Sequence, residues 1–418
     1  MLDILLFIFF GIGLGIFTGL APGIHVNTVS ILLASLAGYS NPLLLSIAIV
    51  SMAITHAFFD FIPSIFLGAP DPETALSILP GHKLLLAGRG YEAVYLTAAG
   101  GLTAIIAAVL LSPAFILLIP PMYAAIRPNI AAVLIAVASV MIIPEKGWGK
   151  LAASLIFMAS GLLGLVQFRL PLLPDESMLF VTFTGLFGMS TLLLSLRSSS
   201  FIPKQTLKTS PLGKRFISSA TLKGLFSGSL LGTLPGMGAA EAAVLAQQLS
   251  FRSFLSKLSK RLSGKFIMQR IDSDREFLMT IGGINVAVAL FSILSLHTIG
   301  RARSGAAVAV DRLIGQVSPE TLLLLIGSAA IAAGIAFLLT ITLTSSVANR
   351  LARINYKKLT VFTIALLISL TWLLAGPLGF IILFASTSIG LLAPLFGVKR
   401  SNCMGILMLP LILFYLGI

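Results

Sequence analysis

Apolar runs of bilayer-spanning length dominate the sequence and leave it few ways to fold. They fall at about 42–66, 91–118, 122–144, 151–167 and 176–196, and again at about 276–299, 319–345, 359–375, 377–395 and 402–418. Most are near the roughly 20 residues an α-helix needs to cross a hydrocarbon core. Lipid offers no partner to backbone N–H and C=O groups, so runs of this kind cross as helices. Apolar residue types make up 57% of the chain and charged ones 10%, more apolar surface than a water-soluble domain can bury. The expected fold class is all-α: a polytopic, multi-pass protein of the cell membrane.

The net charge of +14 does not imply nucleic acid as a partner. Lys and Arg sit mostly in the short connections between apolar runs, where positive charge marks the cytoplasmic side. The single cysteine, Cys403, excludes an intramolecular disulfide and a CxxC site. The start, Met1-Leu2-Asp3, lacks the basic region of a cleaved signal, so the first apolar run is expected to stay.

Two further apolar runs, about 4–39 and 222–249, are broken midway by Pro-Gly, and the breaks match. Gly15-Ile-Phe-Thr-Gly19-Leu-Ala-Pro22-Gly23 and Gly228-Ser-Leu-Leu-Gly232-Thr-Leu-Pro235-Gly236 both read G-x3-G-x2-P-G. Downstream, Ser64-Ile65 pairs with Ser292-Ile293 and Glu92 with Glu320 at one offset, and Gly161-Leu-Leu pairs with Gly390-Leu-Leu one residue later. Collinear matches of this kind indicate an internal repeat. The expected organisation is a first transmembrane repeat over 1–196, a Ser/Lys-rich basic cytoplasmic linker over 197–221, and a second repeat over 222–418. Within the second, the polar stretch 250–275 reads as an amphipathic surface helix.

Charge placement sets the orientation. Lys214, Arg215 and Lys223 precede the second break, and Arg252 and Lys257 follow it, so both ends sit inside. Arms of about 11–14 residues, roughly 20 Å of helix, are too short to cross alone. Each Pro-Gly segment is therefore expected to be a re-entrant helical hairpin, the first entering from outside. Five spans follow each hairpin, and an odd number of crossings inverts one half relative to the other, a recurring design of secondary transporters. Arg301, Arg303 and Arg312 break the pattern by falling on the outside.

A helix broken in lipid frees backbone groups that must be buried in protein or line a wet cavity. A helix resuming after Gly23 or Gly236 aims its positive end there, a ready anion site. The other reading is a simple kink between packed helices. Beside the first break stand His25, Asn27 and Thr28; the second offers Gly238 and Glu241. His25 reads equally well as a substrate donor or as a hydrogen-bonded structural residue. His56 and Asp60, four apart, share a helix face. An ionisable residue inside a span is a functional candidate, so Asp60, with His56 and Glu241, is a candidate for coupling to Na+ or H+. A buried structural ion pair is the competing reading, and too few ligands cluster for a metal site. The connections around His82 and Arg89, and around Arg301 and Arg303, could grip an anion through charged hydrogen bonds. For Arg89, ordinary positive-inside charge is an equally good account. No P-loop, HExxH or GxSxG motif is present, so the expectation is not an enzyme, and no cofactor is implied.

From Pro80-Gly81-His82-Lys83-Leu84-Leu85-Leu86-Ala87-Gly88-Arg89-Gly90-Tyr91-Glu92-Ala93 the sequence resembles the TctA family, the large permease subunit of tripartite tricarboxylate transporters. Pro80 replaces the acid of that family's D-G-x-x-L-x-x-x-G-R-x-x-E-A stretch. Gly68-Ala69-Pro70 resembles its upstream G-x-P, and Pro22-Gly23 and Pro235-Gly236-Met237-Gly238 resemble its two breaks. The second half lacks the P-E-x-A-x-N stretch expected after the second break. The resemblance implies a permease that moves an organic anion, a di- or tricarboxylate, by ion-coupled alternating access. It also implies a small membrane subunit and a substrate-binding protein as partners; a homodimer is compatible with it. A looser likeness to polyprenyl-phosphate translocases supplies the alternative, a flippase for a lipid-linked phosphate.

Overall fold

The computed structural model describes residues 2–22, 24, 26–69, 72–169, 174–197, 203–233, 239–248, 266–351 and 356–418. Gly23, His25, Pro235, Gly236 and Gly238 lie outside the described residues, as does 250–265 of the expected surface helix, whose remainder belongs to the helix Phe266–Ile299. Among the described residues all regular structure is helical. Eight helical segments are long and apolar enough to cross a membrane, and the protein is a multi-pass membrane protein.

Each broken segment gives one long arm and one short one. Helix α1 (Leu2–Leu20) precedes α2 (Val26–Ala34), and α11 (Lys214–Gly232) precedes α12 (Ala239–Gln248). The long arms of 19 residues measure about 28 Å, beyond the length expected from sequence, and of the two α1 is also apolar enough throughout to cross a membrane. The helix runs through Gly11, Gly15 and Gly19 against their low helix propensity because tertiary contact uses their missing side chains. A Cβ on any of the three would strike α3 (Pro42–Phe59), at Ala48, at Thr55 and Met52, and at Phe59. Gly224, Gly228 and Gly232 of α11 lie in the same way against Thr280, Ala287 and Phe291 of α13 (Phe266–Ile299). Small residues at such edges let backbones approach, the usual basis of helix association in lipid. The opposite face of α1 carries exposed Leu6, Phe9, Phe10 and Phe17, suited to acyl chains.

Helices α3 and α13 form the centre, buried through most of their length. The N-terminal end of α3 is capped by Asn41, whose side chain accepts from Leu43 N at 2.9 Å, with Pro42 following at N1. Each central helix is flanked by a helix from the other half: α6 (Gly90–Ile126) lies along α13, and α15 (Pro319–Leu351) along α3. Where α6 meets α13 the main chains touch; a Cβ on Gly100 would overlap Met279 O, and one on Gly282 would overlap Thr97 O. Short helices α4 (Phe61–Leu67) and α5 (Ile78–Leu86) follow α3, and α14 (Gly305–Ile314) follows α13.

The outer helices depart from the expected spans. Helix α6 continues past residue 118, and after the turn Arg127–Asn129 the chain resumes as α7 (Ile130–Ile142). The combined segment Gly90–Ile142 would measure about 80 Å if straight, against a core of about 30 Å, so its length accommodates two crossings. Helix α16 (Tyr356–Leu395) is likewise two helices joined at Gly376, where φ is 57°, as the runs ending at 375 and starting at 377 foretold. Helix α8 (Trp148–Arg169) is of full length. Helices α9 (Asp175–Phe183) and α10 (Ser190–Arg197) join through a π-helical turn over Thr184–Met189. The last run is shorter than expected: α17 (Gly405–Leu416) has 12 residues, about 18 Å. Residues from Lys214 onward belong to α11 rather than to the linker.

Candidate functional site

The beginnings of α2 and α14 come together. Asn27, the second residue of α2, packs so closely on Gly305, the first of α14, that a Cβ there would collide with the Asn27 side chain. Ser304 caps α14, its Oγ accepting from Ala307 N at 3.2 Å, and Ser292 Oγ of α13 donates to Ser304 Oγ at 3.0 Å. Two helix N-termini therefore face one small region, where their unsatisfied N–H groups favour negative charge. Two residues upstream, the Arg303 guanidinium stacks over the Tyr123 ring at 4.8 Å. Its Nε and Nη2 are buried without a hydrogen-bond partner. A guanidinium in that condition is costly and suited to receive a carboxylate or phosphate. Arg301 is exposed, Thr28 is exposed on α2, and Pro22 is half-buried at the end of the α1 turn. His297 Nδ1 lies 2.7 Å from Val317 O.

A second polar group lies between the halves. Asp60, between α3 and α4, is 1% exposed and Asn285 of α13 is 2% exposed. Asn285 Nδ2 donates to Asp60 Oδ2 at 2.8 Å. His56 Nδ1 lies 3.1 Å from Thr18 Oγ1 of α1. Each of the two residues expected to share a helix face thus bonds a side chain of another helix, His56 that of Thr18 and Asp60 that of Asn285. Neither Thr18 nor Asn285 was singled out from sequence. Asn285 carried the same signal as Asp60, a strongly polar side chain inside an apolar run.

The connection after α4 is knotted rather than open. Arg89 Nε donates to Glu92 Oε2 at 2.6 Å and its Nη2 to Ser210 Oγ at 2.9 Å. Arg275 Nε lies 3.0 Å from Glu92 Oε1, and its Nη2 donates to Ser210 O at 3.2 Å. The linker strand also binds here: Gly90 N donates to Gln205 Oε1 at 2.8 Å, and Thr206 N to Gly88 O at 2.8 Å. Gly88, at φ 76°, adopts the left-handed turn that makes this approach possible. Arg89 therefore joins the linker to Glu92 of the first half, and Arg275 ties the same pair to the second half. His82 is fully buried beside Gly68 and Leu192. Burial lowers its pKa to about 4, so the imidazole is neutral at pH 7. Glu241 lies on α12, but its side chain is outside the described residues. The structure thus brings Asn27 to Gly305, two residues along the chain from Arg303, whose guanidinium lies over Tyr123, and leaves Asp60, His82 and Arg89 in other regions. Among the described residues no cluster of three or more metal-ligating side chains occurs.

Residues 5–405 match the family described as the tripartite tricarboxylate transporter TctA family. An uncharacterised protein, MJ1079, from Methanocaldococcus jannaschii is 29% identical over 430 residues, covering 99% of both chains. No solved structure matches. With helices of membrane-spanning length and a family match across nearly its whole length, the chain is a membrane transporter that belongs to the tripartite tricarboxylate transporter TctA family.

Proposed function

We propose that the protein is a permease that moves a di- or tricarboxylate across the membrane by ion-coupled alternating access. The observation that carries this reading is the meeting of α2 and α14 at Asn27 and Gly305, with Arg303 two residues before Gly305 in the chain, its Nε and Nη2 buried without a hydrogen-bond partner over the Tyr123 ring. Helix N-termini and a buried guanidinium together suit a carboxylate. In this reading Pro22, Gly23, His25, Asn27 and Arg303 form one substrate tip, with Arg301 at its mouth and Pro235, Gly236 and Gly238 in the opposite tip. Asp60, bonded to Asn285 across the halves, carries the coupling H+ or Na+, with His56 and Glu241 as neighbours in that role. The halves are inverted repeats. Supporting this, Ser64 and Ser77 pair at 3.2 Å where Ser292 and Ser304 pair at 3.0 Å. The family name implies a tripartite system, so a small membrane subunit and a substrate-binding protein are proposed partners.

Uptake into proteoliposomes tests the reading. Radiolabelled citrate and succinate should accumulate against a gradient when an H+ or Na+ gradient is imposed. Asp60→Asn should retain exchange but lose uphill accumulation. Full concentrative uptake by Asp60→Asn would remove Asp60 from coupling. Transport of a polyprenyl phosphate with no carboxylate flux would overturn the substrate class.

A further inference from the structure

A cavity of about 200 Å³ lies at the end of α13 remote from Arg303. Its wall draws on α5, α11, α12, α13 and the 3-10 turn Arg400–Met404 before α17, so both halves build it. Two carboxylates line it, Asp274 and Glu276, and four cations: Lys83, Lys223, Lys399 and Arg400. The acids are already taken. Lys83 Nζ lies 3.2 Å from Asp274 Oδ2, and Lys223 Nζ 2.7 Å from Glu276 Oε1.

Arg400 is different. Its Nη1 donates to Thr191 Oγ1 and, at 3.4 Å, to Phe187 O; among the described residues no carboxylate pairs with it. Beside it Ser401, 3% exposed, lines the same cavity with an Oγ that is buried and has no hydrogen-bond partner. A buried hydroxyl left without a partner costs free energy unless something in the cavity satisfies it. A net positive wall, a guanidinium held in place by neutral groups and an orphaned hydroxyl together describe an anion site. The volume is below the roughly 300–1,000 Å³ typical of drug-sized ligands, which suits a small free oxyanion rather than a lipid.

We propose that this cavity is a second binding station for a small multivalent oxyanion, held by Arg400 and Ser401. It rests on the carrier reading and adds to it the stop on the side where the basic connections lie. Lys223 and Lys83 keep Glu276 and Asp274 from repelling the guest.

The test is site-specific thiol protection of the full chain in inside-out vesicles. Ser273 is exposed on α13 and borders the cavity, so Ser273→Cys is the reporter; the native Cys403 is buried and the wild type measures its background. Citrate or inorganic phosphate should slow maleimide labelling of Ser273→Cys several-fold. Adding Ser401→Ala should raise the anion concentration needed by about 3–10-fold, the worth of one hydrogen bond. Adding Arg400→Gln should abolish protection, and Arg400→Lys should restore part of it. Labelling rates unchanged by either anion, at concentrations that saturate uptake, would overturn the second station and leave the carrier standing. Protection by phosphate without flux of any carboxylate would keep the station and sink the carboxylate reading. Protection that requires phosphatidic acid in the vesicles would overturn the free-anion assignment.

Discussion

The regions at the two ends of α13 treat their charges in opposite ways. Around Glu92, 1% exposed, two arginines share one carboxylate, and Ser210 of the linker donates to it and accepts from Arg89 and Arg275. The one donor there without an aligned hydrogen bond among the described residues, Arg275 Nε, is still ion-paired with Glu92 Oε1 at 3.0 Å. Around Ser304, a ridge of about 30 Å of helix away, Arg303 lies over the face of Tyr123, and two of its donors, Nε and Nη2, are unmet among the described residues. Satisfied buried networks hold a structure in one arrangement. A buried donor without a partner weakens it, and such sites persist where function needs them. The difference separates the part of the molecule that joins its halves from the part that can receive something.

Glu92→Gln is the largest expected effect. It leaves Arg89 and Arg275 beside a neutral amide, and breaking a buried pair of this kind costs about 3–5 kcal/mol. Thermal unfolding of the purified protein should show it, and an unchanged midpoint would mean that the knot is not what joins the linker to the core. Next comes pH. The folded His82 titrates near 4 and the unfolded one near 6.5. Between those values the unfolded chain binds the proton and the folded one does not, so stability falls as pH drops through that window. The full loss is about 3 kcal/mol, and His82→Gln should flatten that part of the stability curve. If the slope survives the substitution, another group carries it.

Arg303→Leu sharpens the contrast from the other end. Losing a charged hydrogen bond to substrate, about 1.5–3 kcal/mol, should reduce uptake about 10–100-fold. Its unfolding midpoint should hold or rise, because among the described residues no carboxylate pairs with this guanidinium. A large drop in stability with normal uptake would make Arg303 a structural residue. Lys83→Ala should do least. Its side chain is 54% exposed, and an exposed ion pair is worth at most about 1 kcal/mol. A loss well beyond that in a melting series would show that the Lys83 contact with Asp274 is more than a surface pair.

Much of the architecture was legible because the bilayer imposes a strict rule on backbone polar groups. Run lengths marked α3, α8, α13 and α15, and the Gly376-Pro377 step marked the bend of α16. The Pro-Gly motifs placed the two broken segments, whereas the glycines of the repeated motif, read there only as a sign of repetition, turned out to be where α1 and α11 meet their neighbours. Arm lengths were misread because the polar residues Lys214 to Thr221 look like linker. Their helix continues past the apolar run, with Lys223 and Ser219 bonded to Glu276. The site was less legible, because its partners come from distant sequence. Asn285 meets Asp60 across 225 positions, and Ser210 meets Arg89 across 121. No local pattern encodes such pairs. Arg303 was visible only as a charge on the unexpected side of the membrane.

The seam between α6 and α13 has a mechanical consequence. Where Gly100 and Gly282 put main chain against main chain, no side chain is available to repack into a second arrangement. Close-packed interfaces switch between discrete states rather than deform. These two helices, one from each half, therefore travel together as a single axle. In the alternating-access cycle proposed above, the remaining helices would turn around that axle.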